Sequence, residues 1–247
     1  MKPSMLPFLV LIQFFAIWHV SDKAENNNTI TADGHRFITG LIVLLAIWAG
    51  ISSLLAINLS YQSRWFLSSW PAFWVTSIAV TIVMTPLMIS RAARNTVRGI
   101  IDNTPLYGLV LFQGLRTLAI GGIMKSLNGE FALYYGLYIG IPDFIFGLSA
   151  LVMARLVYQG RATDKAVALW NIAGAMIIVP FGMVLLQMGL PGPMQLFSNE
   201  PTITTIFEFP MALAPTVIVP VFVMMNLFVA MRILERTGTT TATRPAQ

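Results

Sequence analysis

Seven long apolar runs decide what this chain can fold into. They cover about 5–20, 37–59, 69–89, 104–124, 132–154, 166–189 and 207–231, with short polar stretches between them. A helix needs about 20 predominantly apolar residues to cross the hydrocarbon of a bilayer, and most of these runs reach that length. The 247 residues would admit one or two water-soluble domains, but 56% of them are hydrophobic and only 10% charged. A mean hydropathy of +0.75 belongs to a chain that threads a bilayer repeatedly. The expected fold is an all-α, polytopic transmembrane helical bundle of about seven spans. It forms one domain over residues 1–236, followed by a polar, disordered tail over 237–247.

The first run, MLPFLVLIQFFAIWHV, is the shortest and could be the core of a secretory signal. Only Lys2 supplies a preceding charge and no small-x-small cleavage site follows. It is therefore read as a retained span; cleavage would leave six.

Charge orients the bundle. With alternating spans, Lys23, Arg36, Arg91, Arg94, Arg98, Arg155, Arg161, Lys165, Arg232, Arg236 and Arg244 fall on one face. Lys2, Arg64 and Lys125 fall on the other. Excess Lys and Arg marks cytoplasmic loops, so the N-terminus is expected outside and the C-terminus in the cytoplasm of a bacterial cell, the chain being multi-pass in its cytoplasmic (inner) membrane. The net charge of +5 is scattered over loops, not gathered into a stripe, which argues against a nucleic-acid partner. The absence of cysteine excludes disulfides, thiolate catalysis and zinc–thiolate or iron–sulfur sites.

Trp65, Trp70 and Trp74 are placed as an interfacial aromatic belt on the outer face. The longest outer connection, LPGPMQLFSNEPTITTIF, reads as a cap lying on the membrane surface. Pro86, Pro142, Pro180, Pro215 and Pro220 fall within spans, and each frees a carbonyl one turn earlier. The last span is expected to bend or break between Pro215 and Pro220.

Two ionisable residues lie deep within the apolar runs: Arg116 and Asp143. At helical rise, Arg116 sits roughly 13 Å below Lys125, and Asp143 roughly 20 Å below Glu130. Charges at such depth are costly and are usually paired or functional. Since sequential spans are usually neighbours, the two are expected to contact each other. They could form an anion anchor with its gate or proton acceptor, or a permanent clasp between two helices; both readings stay open. Gln113, three residues before Arg116, shares its face and could complete its hydrogen bonds. Asn171, Gln187 and Asn226 are polar positions in the last two spans. Hydrogen bonding between helices is the first expectation for each, and Asn171 and Asn226 are also kept as candidate ligand contacts. Gly136 and Gly140 form a small-xxx-small face, with Gly121 and Gly122 expected to thin the helix opposite. His19 and His35 lack ligand spacing, and no metalloprotease, phosphate-loop or nucleophile-elbow motif occurs. No metal, cofactor or catalytic activity is therefore implied.

The segments LFQGLR, GIPDFIFGLSA, LWNIAG and LPGPMQLFSNEPTITTIFEFPMALAPTVIVPV, in that order, resemble a family of uncharacterised bacterial polytopic integral membrane proteins. The resemblance covers roughly residues 110–235 and includes Arg116, Asp143, Trp170 and Asn171. Ile120 and Asn226 depart from it, standing where the family tends to have a glutamate and a histidine. It implies a shared helical membrane fold and no particular activity.

Taken together, the residues suggest a protein that binds or transports a small molecule through a polar pocket between spans four and seven. The ligand-binding candidates are Arg116, Asp143, Gln113, Asn171 and Asn226. Its expected partners are the lipid bilayer and a small-molecule ligand. The alternatives are a non-catalytic structural or accessory membrane subunit and a seven-span sensor. A binder should show a cavity bordered by Arg116, Asp143 or Asn226; a scaffold should be packed solid there.

Overall fold

The computed structural model describes residues 4–72, 74–198 and 201–242, side chains after Thr237 excepted. Among these residues all regular structure is helical, without a strand. Six helices are long and apolar enough to cross a membrane. They are α1 (Leu6–Asn26), α2 (Ala32–Ile57), α5 (Leu106–Leu127), α6 (Leu133–Tyr158), α7 (Asp164–Gly189) and α8 (Ala214–Thr237). Between α2 and α5 lies a bent pair, α3 (Trp74–Ile89) and α4 (Arg91–Asn103), which meet at 110°. The fold is thus a multi-pass membrane bundle of six spans, or seven if the bent pair counts as one.

The third expected span is shorter than the run 69–89 implied. Helix α3 begins only at Trp74, after Pro71, and its 16 residues rise about 24 Å. It ends at Ser90, whose extended backbone and hydroxyl cap on Ala93 N start α4. The stretch RAARNTVR, between the third and fourth apolar runs, is therefore most of an amphipathic helix that buries Ala93, Thr96, Ile100 and Ile101. Arg94 folds back across the bend to donate to the carbonyls of Leu87 and Met88, at 2.7 and 3.0 Å. Those carbonyls lack helical partners at the end of α3.

The basic end of the bundle is one surface. Asn27 bonds Asn103, Arg98 bonds Glu235, and Arg232 and Arg236 both bond Asp102, tying together α1, α4 and α8. Leu106, Val157, Val167 and Ile233 bring the matching ends of α5, α6, α7 and α8 into one apolar cluster. At the opposite end, Gln62 donates to Thr204 O, and Tyr134 stacks on Phe197 at 4.0 Å. The 190–207 connection folds back there, burying Leu190, Ile203 and Phe207, so it is a cap packed on the bundle end. Trp65 and Trp70 are exposed at this end, with Trp65 edge-on to Trp74.

Helix α8 is the centre: 61% of its most apolar 18-residue stretch is buried, against 22–33% for the other five. The outward faces of the others carry large apolar side chains such as Phe8, Leu11, Leu44, Ile47, Leu151 and Val152, which suits lipid and not water. The irregularity expected of the last helix takes the form of a π turn over Ala214–Ile218, which fills most of the interval from Pro215 to Pro220. The chain turns at Phe209 and Pro210, the helix starts at Ala214 with one π turn to Ile218, and α-helix then runs unbroken past Pro220. Pro220 still frees the carbonyl of Thr216, and the indole of the buried Trp48 on α2 takes it at 3.0 Å. Gln13 of α1 likewise donates to Ile218 O. The helix continues to Ala242, into the stretch read as tail; residues 243–247, Arg244 among them, lie outside the described residues, as do Met1, Lys2 and Pro3.

Candidate functional site

Arg116 and Asp143 meet. Nε of Arg116 donates to Asp143 Oδ1 at 2.7 Å, and NH2 donates to the same oxygen. NH1 donates to Gly174 O on α7 at 3.0 Å. The guanidinium lies over the ring of Phe146, 4.4 Å from its centroid, and Phe146 stacks on Trp170 at 4.3 Å. Trp170 in turn donates to Ser149 Oγ. One charge is thus neutralised by a carboxylate, bonded to a carbonyl and laid on an aromatic face, the arrangement that makes an arginine bearable at membrane depth. Only 1% of the Arg116 side chain is exposed, against 17% of that of Asp143.

Close helix approach makes this contact. A Cβ on Gly147 would stand 2.5 Å from Thr117 N and 2.8 Å from Arg116 C, so α6 presses directly on the backbone of α5. A Cβ on Gly174 would stand 2.1 Å from the Cζ tip of the Phe146 ring. Of the glycines expected to allow packing, Gly136 and Gly140 do face α5, through Ser126 and Ile123. Gly121 and Gly122 do not: added Cβ atoms there would meet nothing within 4 Å, because both border a cavity.

That cavity, about 430 Å³, has Arg116 and Asp143 in its wall. It is bounded by α5, α6, α7, α8 and the start of α1, and Lys125 stands toward the capped end. Apolar side chains such as Leu118, Ile139, Leu186 and Phe222 make most of the wall, so the expected polar pocket is an apolar one with a single charged pair. All four of the later spans leave α-helical geometry where they border it. The departures are a 3₁₀ stretch Gln113–Ala119 in α5 and π turns Gly136–Gly140 in α6, Ile177–Gly182 in α7 and Ala214–Ile218 in α8. Pro142, Pro180 and Pro215 lie in or beside the three π turns. Such turns loosen the regular ladder and recur at functional sites.

The other three candidates stand elsewhere. Gln113 is buried and points its amide at Phe222 O on α8, 3.5 Å away, while Asp143 and Gly174 take the hydrogen bonds of Arg116. Asn171 donates to Val167 O within its own helix. Asn226 is fully buried, and neither of its amide atoms has a partner among the described residues. Val167 and Ala168 pack with Val229 on one side of the asparagines, and Ala175 with Val223 on the other. Antiparallel register therefore sets Asn171 and Asn226 at one level of the α7–α8 seam, on the basic-end side of the cavity. None of the three borders it. Gln187 accepts from Ala72 N at 2.9 Å, joining α7 to the start of α3. Phe146, Trp170 and Gly174, which complete the arginine's setting, carry no charge, so the search for ionisable residues passes over them. Comparison of the chain with family models, curated proteins and solved structures finds no match in any of the three.

Proposed function

We propose that this protein binds a small, largely apolar molecule in the cavity beside Arg116 and Asp143 and carries it between the membrane and one face of a bacterial cytoplasmic membrane. The observation that carries this reading is the convergence of four non-α turns on one cavity that also holds the only deep charge pair among the described residues. A volume of about 430 Å³ lies in the range of sites for drug-sized ligands. Interrupted helices around a central site are a recurring arrangement in transporters.

Filling the cavity tests it. Gly122→Phe places a ring where an added Cβ meets nothing. Native mass spectrometry of the wild type released from mild detergent should detect a bound small molecule, and Gly122→Phe should lose it while keeping its unfolding temperature. Equal ligand content in both proteins, or none in either, would overturn the reading.

A second reading, an accessory subunit whose polar groups only hold helices, draws on Gln113, Asn171 and Gln187, all of which bond across or within the bundle away from the cavity. It expects Gly122→Phe to be without consequence.

The orientation proposed, basic end in the cytoplasm, follows the Lys/Arg asymmetry. Single cysteines in this cysteine-free chain test it: in intact spheroplasts an impermeant thiol reagent should label Ser198→Cys and spare Gln159→Cys. The reverse labelling pattern would invert the topology.

A further inference from the structure

The two charged partners do not face the cavity equally. Both donors that Arg116 sends to Asp143 end on Oδ1. Oδ2 accepts no hydrogen bond from any described residue, yet it is not sealed off, since Asp143 borders the cavity and keeps 17% of its side chain exposed. Arg116 has three of its N–H groups committed and its face covered by Phe146. The group offered to a ligand is therefore a carboxylate oxygen, an acceptor. Tyr135, on the same wall, places its hydroxyl near Gly182 of α7, and that hydroxyl too has no hydrogen-bond partner among the described residues.

The geometry points to an apolar molecule carrying a neutral hydrogen-bond donor, an alcohol, as the ligand, with its hydroxyl on Asp143 Oδ2 and its hydrocarbon along the wall of the cavity. An anion beside Asp143 would meet the carboxylate oxygen before the covered guanidinium, and one drawn instead to Lys125, toward the capped end, would leave Oδ2 without a donor. A cation gains little from Asp143, whose charge Arg116 already balances, and it would share the cavity with Lys125. An alcohol satisfies the free acceptor and places no net charge in a low-dielectric site. Arg116 is then a positioning residue: by holding Oδ1 it aims Oδ2. This inference rests on the cavity being a ligand site, and the experiment separates the two.

Four probes share one dodecyl chain: dodecanol, dodecyl methyl ether, dodecanoate and dodecylamine. Their binding to the full-length protein in nanodiscs is measured by displacement of a fluorescent fatty probe. Dodecanol should bind about tenfold more tightly than the methyl ether, the ratio a hydrogen bond to a charged acceptor provides. It should also bind more tightly than the acid and the amine. The double variant Arg116→Leu/Asp143→Leu should bind the alcohol and the ether alike. Equal binding of all four by the wild type, or a preference for dodecanoate or dodecylamine, would overturn the assignment of Asp143 as reader while leaving the cavity a ligand site. A preference for the alcohol that survives in the double variant would overturn it as well. Failure of every probe to bind the wild type would count against the ligand site itself and the inference with it. The wild-type series decides even if the double variant does not fold.

Discussion

Two carboxylates of this protein, Asp143 and Asp102, meet arginines from other helices, in opposite surroundings. At the basic end Asp102 spends both oxygens: Arg232 donates through Nε to Oδ1 at 2.8 Å and through NH2 to Oδ2 at 2.6 Å, and Arg236 joins at Oδ1. Arg98, Arg232 and Glu235 extend the set into a network between α4 and α8. Its side chains are 23–50% exposed. Within the bundle, Asp143 uses one oxygen and keeps the other toward the cavity. The surface network saturates its acceptors because the arginine fork matches both carboxylate oxygens and a second arginine is within reach. The embedded carboxylate keeps an oxygen to spare and forgoes a bond that the same arginine could have made.

The comparison breaks most sharply by substitution. Removing one member of the embedded pair strands the other, at a cost of roughly 3–5 kcal/mol, whereas removing both is near neutral. Arg116→Leu or Asp143→Leu should therefore sharply reduce the folded yield in detergent, and the double variant should recover most of it. Additive losses, measured by fluorescence-detected size exclusion, would mean that the two residues do not act as a unit. Next in size is the close approach that makes the pair. Gly147→Ala drives a methyl into the α5 backbone and should lower stability by about 1–3 kcal/mol. Gly121→Ala, in open space, should be neutral or gain up to about 1 kcal/mol from helix propensity. Thermal unfolding of the two variants side by side checks the contrast.

The smallest effect belongs to the basic end. Asp102→Asn should cost about 0.2–1 kcal/mol, and less at high salt. Its hydrogen bond from Arg232, with the charges of Arg236 and Arg232, holds the Asp102 carboxyl below the usual carboxylate range. The ionised form is thus favoured by folding. This contribution is complete above the ordinary aspartate value of about 4 and is lost as pH falls through the depressed folded value. An acid titration of stability should be shallower for Asp102→Asn than for the wild type. An identical slope would show that the network does not respond to protonation of Asp102.

The embedded pair was legible in the sequence because depth can be counted. Residues from Lys125 to Arg116 and from Glu130 to Asp143 convert to distance at a fixed rise, and neighbouring spans pack together. The same counting found the apolar helices and gathered the arginines at one end, since hydropathy and loop charge are sums over local sequence. Rotation about a helix axis is not such a sum. Each residue turns the face by about 100°, so one 3₁₀ or π turn moves every later side chain to another neighbour. Gly121 and Gly122 lie beyond the 3₁₀ stretch and border the cavity instead of a helix. Asn171 and Asn226 fall into the α7–α8 seam, and Gln113 turns to α8. The sequence by itself determined a basic-ended bundle of apolar helices and an arginine that needed an aspartate. Only the tertiary structure decided that four interruptions surround one cavity and that Asp143, not Arg116, offers it a free polar atom. Those outcomes depend on the mutual rotation of packed helices, which no single segment encodes.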